Sequence, residues 1–274
     1  MTKKFAVFGN PIKQSKSPQI HQQFAAQFFL DISYERQEVA VDGFDHAAQE
    51  FFSADGKGLN VTTPFKDDAY QFANRLTPRA RRAAAVNTLA VQDNGEILGD
   101  TTDGVGLVSD IRNNLNWQIQ GKQVLVLGAG GAVRGVLETL LAESPEKLVI
   151  ANRTAFKAEA LAKGFADLGK VVGMGFEELG DTSFDLIING TSTSLMGEEL
   201  TLPNGIFAEG CCCYDMAYAP EPTSFLKRVE PHCSNSADGL GMLVGQAAES
   251  FFVWTGRRPD TAPVIQNIRK LIRG

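Results

Sequence analysis

The segment GKQVLVLGAGGAVRGVLETLLAE, Gly121 to Glu143, constrains the fold more than any other part of the chain. Val124 to Leu127 is apolar at every position and runs directly into a glycine-rich turn, then into a stretch with helical spacing. A strand that is apolar on both faces must be covered on both faces, which is the situation of a parallel sheet between two layers of helix. KLVIANRT, FDLIINGTS and CCCYDMAY have the same continuous apolar character. Strands of this kind alternating with helices predict an α/β protein.

The N-terminal part alternates strand and helix signals as well. KFAVFG reads as a short strand. Ser17 is placed to cap a helix with Pro18 at its first position, and Ile20, Phe24 and Phe28 recur every fourth residue on one face. ISYERQEVAV is a second strand, and Phe44, Ala47, Ala48 and Phe51 share the face of a helix. In GLNVTTPFK, Leu59 and Val61 alternate with Asn60 and Thr62, so a strand ends at Pro64, which has no N–H for a ladder. Polar helices are expected over Asp67–Ala73 and Thr77–Ala85. VNTLAVQDNGEILGDTTDG reads as two strands joined at Asp93-Asn94-Gly95, a strong hairpin signal. A helix from Gly104, GVGLVSDIRNNL, leads into the glycine segment, and GMLVGQAAESFFVWTG and TAPVIQNIRKLI are amphipathic helices at the end.

The bulk numbers narrow the function. With 274 residues and 43% hydrophobic content, the chain suits two domains or one large one. Net charge is −6 and no dense Lys/Arg cluster occurs, which argues against a nucleic-acid partner. Any anionic ligand must be held by local donors. No apolar run approaches the roughly 18 to 20 residues of a membrane helix. The N-terminal MTKKFAVFGNPI is too short in its apolar part for a signal peptide. Of the four cysteines, Cys211, Cys212 and Cys213 are consecutive and read as a buried strand. Alternation sends Cys212 to the face opposite its neighbours, so no metal site is expected there. Free thiols and no export signal point to the cytoplasm.

GAGGAVRGV, in its strand-turn-helix context, predicts a dinucleotide site. Gly128 permits the tight turn, Gly130 lets backbone approach a pyrophosphate, and the helix that follows offers N–H groups and its dipole. Val133 stands where a third glycine is usual. The end of the next strand carries Asn152-Arg153-Thr154 and then Lys157, with no acid to bind a ribose 2′-hydroxyl. A guanidinium there binds a 2′-phosphate through charge-assisted hydrogen bonds, so NADP is the expected cofactor.

SKSPQIH, NVTTPFK, AVNTL, GDTTDG, GAGGA, NRT, NGTS, YDMAY and DGLGMLVGQA occur in this order, and with them the chain resembles the shikimate dehydrogenase family over nearly its whole length. The resemblance implies reduction of 3-dehydroshikimate to shikimate with NADPH, on the route to chorismate and the aromatic amino acids. It implies two α/β domains with the active site in the cleft between them. A substrate domain is expected over residues 1–102, completed by the C-terminal helices 241–274, and a Rossmann-type NADP domain over 103–240. Lys66 matches the catalytic lysine and Asp103 its partner carboxylate. Ser15 and Ser17 match the serines that bind the substrate carboxylate, and Asn60, Thr62, Asn87, Tyr218 and Gln246 match positions around the ring hydroxyls. Met216 and Gly239 match contacts near the nicotinamide, and Gly128, Ala129, Gly130, Gly131 and Ala132, with Asn152, Arg153, Thr154 and Lys157, match the rest of the cofactor site. No metal is implied, the partner is a small molecule, and the expected assembly is a monomer or homodimer.

The chemistry of these residue types agrees with the resemblance. Hydride transfer to a ketone leaves negative charge on its oxygen, so an acid must supply a proton there. A lysine ammonium both stabilises that charge and donates, and a nearby carboxylate keeps it positioned. By itself, a lysine after a turn is as well explained by solvation. Asp67 and Asp68 read as a solvated helix start. His21, His46 and His232 fall on helix faces or in a loop without triad spacing.

Three positions depart from the family pattern: Pro78 stands where an acid is frequent, Lys157 where an arginine is common, and Ser224 where a proline is usual. Two rival readings are a quinate/shikimate dehydrogenase with dual NAD/NADP use and a sensor that has lost catalysis. Thr154 and Ala155, where the former tends to carry an acid, argue against the first, and intact Lys66 and Asp103 against the second.

Overall fold

The computed structural model describes residues 2–180, 182–191, 193 and 200–274. Ser192 of the NGTS motif lies outside the described residues. The chain forms two compact units, residues 1–106 with 244–271 and residues 107–243 with 272–274.

The first unit is built on a sheet with strands β1 (Lys3–Gly9), β2 (Ile32–Glu38), β3 (Gly56–Val61), β4 (Arg75–Leu76), β5 (Thr88–Val91) and β6 (Ile97–Asp100), in the order β2-β1-β3-β5-β6-β4. β1, β2 and β3 are parallel, whereas β5 runs antiparallel to β3 and to β6. Alternation along β1 sends Ala6 and Phe8 into one core, with Leu59, Val61, Phe44 and Phe65, and Phe5 and Val7 into another, with Ile12 and Tyr34. Trp254, on the helix Leu240–Thr255, stacks on Phe5 with ring centroids 4.8 Å apart and donates to the Leu89 carbonyl at 3.0 Å. A Cβ on Gly58 would lie 2.3 Å from Trp254 Nε1, so the glycine that opens GLNVTTPFK makes room for the indole.

The hairpin between β5 and β6 forms as expected, with Gly95 at φ 83° and Glu96 N–H donating to Asn94 Oδ1 at 3.0 Å. Other boundaries differ from expectation. Ser17 is the first residue of its helix, Ser17–Gln27, and caps nothing. Ser15 Oγ accepts from Ser17 N–H at 3.3 Å, which turns the chain into the helix one residue early. Thr77 does cap its helix, accepting from Ala80 N–H, with Pro78 at the first position, where its missing N–H costs nothing. That helix ends at Ala83 because Ala84 adopts φ 46°. The helix expected from Gly104 begins at Asp103 and loosens into a π-helical turn over Asp110–Asn114.

The second unit carries a wholly parallel sheet of β7 (Gln123–Leu127), β8 (Lys147–Asn152), β9 (Val171–Gly175), β10 (Phe184–Asn189), β11 (Phe207–Asp215) and β12 (Asn235–Asp238), in the order β12-β11-β10-β7-β8-β9. The chain winds outward from β7 in both directions, the Rossmann arrangement, and ligands of such sheets bind beyond the strand ends where the order reverses. Both faces are buried: Val124 and Val126 enter one core, Leu125 and Leu127 the other. Cys211 and Cys213 lie in the second of these cores, and Cys212 packs against the first, as alternation requires. β9 and β12 escape the sequence pattern because VVGMG and NSAD are edge strands with little apolar demand. No described helix is long and apolar enough to cross a membrane.

Candidate active site

In the first unit the strand β3 stops at Val61, and Phe65, fully buried, anchors the turn that follows. Phe65 N–H bonds back to Thr62 O at 3.0 Å, and the helix Lys66–Phe72 starts at once. Lys66 is therefore fixed by its backbone before its side chain does anything. Lys66 Nζ donates to Asp103 Oδ2 at 2.5 Å, with side-chain exposures of 20% and 10%. Asp103 is the first residue of its own helix, Asp103–Ser109. Its other oxygen, Oδ1, accepts from Asn87 Nδ2 at 2.8 Å. Both carboxylate oxygens thus have partners, one a cation and one a neutral amide.

Asn87 is the hub of this arrangement. Its Oδ1 accepts from Thr102 N–H and from Thr88 Oγ1, each at 2.9 Å, and its Nδ2 lies 3.4 Å from Gln246 Oε1. Its backbone N–H bonds to Asp100 O and its carbonyl accepts from Val61 N–H, so Asn87 is held between β6 and β3. Gln246 comes from the helix Leu240–Thr255.

Asn60, the residue before the last of β3, is tied into the unit through both ends of its amide. Its Oδ1 accepts from the Tyr34 hydroxyl at 2.7 Å, and its Nδ2 reaches Ser250 Oγ at 3.0 Å and Thr88 Oγ1 at 3.2 Å. The side chain is buried and fully engaged inside the unit. These bonds brace the strand end. Thr62, the first residue beyond β3, is half-buried. Ser15 and Ser17 lie together, their hydroxyls 3.2 Å apart, and Arg36 Nε donates to the Ser15 carbonyl at 2.7 Å. Burial holds the Tyr34 hydroxyl well above the ordinary tyrosine pKa, so it is a neutral donor.

Sequence reading missed Tyr34, Thr88, Thr102 and Ser250. Ser250 is a fully buried hydroxyl beside Phe251 on a largely apolar helix, and a polar residue on an apolar face is the signal that marks it. His21 is fully buried against the Tyr34 ring, 4.4 Å away and nearly parallel to it. Burial pulls its imidazole down to about 3, so it is a neutral core group.

In the second unit Gly128 ends β7 at φ 105°, and a Cβ there would lie 3.1 Å from Gly190 O. Around Gly130 the space is open, and the helix Gly131–Ala142 begins there with its first N–H groups. Val133 is accommodated because Gly190 leaves room: a Cβ on Gly190 would lie 2.5 Å from Val133 Cγ2. The glycine missing from the loop is supplied from the end of β10. Ala129 lies in the turn, and Ala132 is the second residue of the helix. At the end of β8, Asn152 Nδ2 donates to Thr154 O at 3.1 Å, and Arg153 and Lys157 are exposed. Open backbone at a helix start and two exposed cations beyond the adjacent strand fit a dinucleotide with an added phosphate.

Met216, Tyr218 and Gly239 lie together in this unit. Gly239 N–H bonds to Ala217 O at 2.9 Å, and a Cβ on it would sit 2.2 Å from Met216 O, so only glycine fits. Asp215, fully buried, accepts from Ala217 N–H, Asn189 Nδ2 and Thr223 Oγ1, and so pins the start of the Met216–Tyr218 turn. Thr223 also caps the helix Ser224–Val229, so Ser224 replaces proline without loss of the cap. The Tyr218 hydroxyl is held above its ordinary pKa by burial, with the Asp238 charge adding to it. Among the described residues no group of three or more His, Cys, Asp or Glu side chains is placed to hold a metal ion.

Three family descriptions match successive parts of the chain. Residues 7–89 match the shikimate dehydrogenase substrate binding domain, residues 110–196 shikimate/quinate 5-dehydrogenase, and residues 239–269 the shikimate 5′-dehydrogenase C-terminal domain. Shikimate dehydrogenase (NADP(+)) of Dechloromonas aromatica is 55% identical over 270 residues, covering 98% of each chain. That of Cellvibrio japonicus is 54% identical over 271 residues, again covering 98% of each. Among solved structures, shikimate 5-dehydrogenase of Thermus thermophilus in complex with NADP(H) and shikimate superposes with a TM-score of 0.87 at 30% identity, covering 98% of this chain and 99% of that one. An Ael1 enzyme from Pseudomonas putida gives a TM-score of 0.92 at 41% identity, covering 97% and 98%. With its two sheets, its lysine–carboxylate pair and relatives matched from end to end, the chain belongs to the shikimate dehydrogenase family.

Proposed function

We propose that this chain reduces 3-dehydroshikimate to shikimate reversibly with NADPH, on the route to chorismate and the aromatic amino acids. The observation that carries the reading is the Lys66–Asp103 pair, held by Asn87 and following the strand end that leads into Thr62. Bound NADPH supplies the hydride. The charge that develops on the carbonyl oxygen is met by Lys66, which donates the proton and leaves a hydroxyl. Asp103 keeps the ammonium in place, and Asn87 keeps Asp103 in place.

Ser15 and Ser17 bind the substrate carboxylate, and Asn60, Thr62, Asn87, Tyr218 and Gln246 surround its ring hydroxyls. The residues 1–106 and 244–271 bind substrate, and residues 107–243 bind NADP. Gly128, Gly130 and Gly131, with the helix start, take the diphosphate, Arg153 and Lys157 take the 2′-phosphate, and Met216 and Gly239 border the nicotinamide. Every residue in this reading comes from one chain. Four free cysteines favour a reducing compartment, the cytoplasm. Initial rates with shikimate and with quinate, each with NADP and with NAD, test the reading. High turnover only with shikimate and NADP is expected; comparable rates with quinate or NAD overturn it.

A further inference from the structure

Arg79 lies outside every motif assigned above, yet it sits in an ion cluster of the first unit that links two buried carboxylates. Its Nε donates to Asp100 Oδ1 at 2.7 Å and its Nη2 to Asp100 Oδ2 at 2.5 Å, a two-pronged bond. The same Nη2 reaches Glu249 Oε1 at 3.2 Å, and Glu249 Oε2 accepts from Arg258 Nη1 at 2.9 Å. Asp100 also accepts from Thr77 Oγ1 at 2.6 Å and from Thr101 N–H at 2.8 Å. Asp100 is 2% exposed and Glu249 8%, so Arg79 is the cation that joins two buried carboxylates.

Position gives this cluster its meaning. Asp100 ends β6, and the next residues in the chain are Thr101, Thr102 and Asp103. Thr102 bonds to Asn87, and Asp103 to Asn87 and Lys66. On the other side, Glu249 is flanked on its helix by Gln246, within 3.4 Å of Asn87 Nδ2, and by Ser250, which bonds to Asn60. Arg79 thus fastens the segment that delivers Asp103 to the helix that delivers Gln246 and Ser250. A planar guanidinium fixes both distance and angle across such a joint, whereas a lysine ammonium at the same place fixes neither.

We propose that Arg79 is a positioning residue for catalysis, setting the approach of Asp103 to Lys66 through Asp100 and Glu249. The inference rests on the assignment of Lys66 and Asp103 as the catalytic pair. A displacement of about 1 Å at a reacting group costs up to about a hundredfold in rate. Arg79→Lys in the full-length protein keeps the charge and loses the planar joint. It is expected to lower kcat about 10- to 100-fold, while KM for NADP and the calorimetric affinity for shikimate change less than about threefold. Glu249→Gln keeps the Arg79–Asp100 bond and weakens the ties of Glu249 to Arg79 and Arg258; a drop in kcat of about 3- to 10-fold is expected, and this variant carries the test if Arg79→Lys does not fold. Val39→Ala, a core truncation that removes none of the hydrogen bonds of the Arg79 cluster, serves as a comparison of similar melting loss and should retain kcat. If Arg79→Lys and Glu249→Gln lose melting temperature as Val39→Ala does and keep kcat, Arg79 is a stabilising ion pair only and the proposal is overturned. If Lys66→Ala itself keeps kcat, the failure belongs to the catalytic assignment instead.

Discussion

Replacing Ser250 with alanine isolates the hydrogen-bonded layer behind the active site. The Ser250 hydroxyl donates to the Gln246 carbonyl at 3.0 Å, accepts from Asn60 Nδ2 at 3.0 Å, and lies 2.7 Å from Thr88 Oγ1 and 3.2 Å from Thr102 Oγ1. Its loss orphans none of the side chains. Asn60 Nδ2 keeps Asn87 O and Thr88 Oγ1 at 3.2 Å, Thr88 Oγ1 keeps Asn87 Oδ1 at 2.9 Å, and Thr102 Oγ1 keeps Asn87 Oδ1 at 3.2 Å. The cost is therefore below the roughly 3 kcal/mol of a stranded buried group and above a single marginal bond, about 1 to 2 kcal/mol. For a protein of this size that is about 2 to 8 °C in melting temperature. Because Thr88 and Thr102 both bond to Asn87, turnover should fall about 3- to 10-fold, with KM for NADP unchanged. Thermal melts and initial rates of Ser250→Ala, Thr88→Val and the double variant form the assay. Coupling of about 0.5 kcal/mol or more between the two is expected for residues in one network. A single variant that melts and turns over like the parent, or strictly additive losses, refutes the network.

Two further outcomes follow from other parts of the molecule. Arg153→Ala should weaken NADP by about tenfold to a hundredfold, the equivalent of roughly 1.5 to 3 kcal/mol for a charge-assisted contact, and NAD far less; calorimetric titration of both cofactors checks it, and equal losses contradict the 2′-phosphate assignment. His21 is neutral in the folded protein, with its imidazole pulled down to about 3 by burial, and takes up a proton near 6.5 when unfolded. Stability from this group is complete above about pH 6.5 and falls by about 1.4 kcal/mol per unit as pH drops toward 3. Urea melts of the parent and of His21→Phe between pH 7 and 4 should converge or cross on acidification, and parallel curves would show that His21 does not titrate in this window.

What could be read from the sequence was what is local. The strand–glycine–helix pattern at Val124 to Gly131, the hairpin at Asp93-Asn94-Gly95 and the absence of an acid after Arg153 depend on neighbours in the chain, and each is legible there. Contacts between distant residues were not. The room for Val133 comes from Gly190, the glycine of GLNVTTPFK answers to Trp254, and the amide of Asn60 is engaged by Tyr34 and Ser250. Asn60 alternates with Leu59 on a strand end, and alternation alone does not reveal the partners its amide finds in the fold. Ser17 followed the cap rule, but Ser15 two residues earlier already turns the chain. Arg79 and Glu249 carried no signal at all, since a surface salt bridge and a buried joint have the same letters.

The central claim is that Lys66 acts in the transition state as the proton donor, and its most direct test pairs two numbers for one variant. Lys66→Ala should cut turnover about 100- to 10,000-fold, the range of a positioned acid–base group. Shikimate affinity, measured by calorimetry on the same preparation, should change by less than about tenfold. Turnover retained with affinity lost would contradict the account, because Lys66 would then hold the substrate in ground and transition states alike.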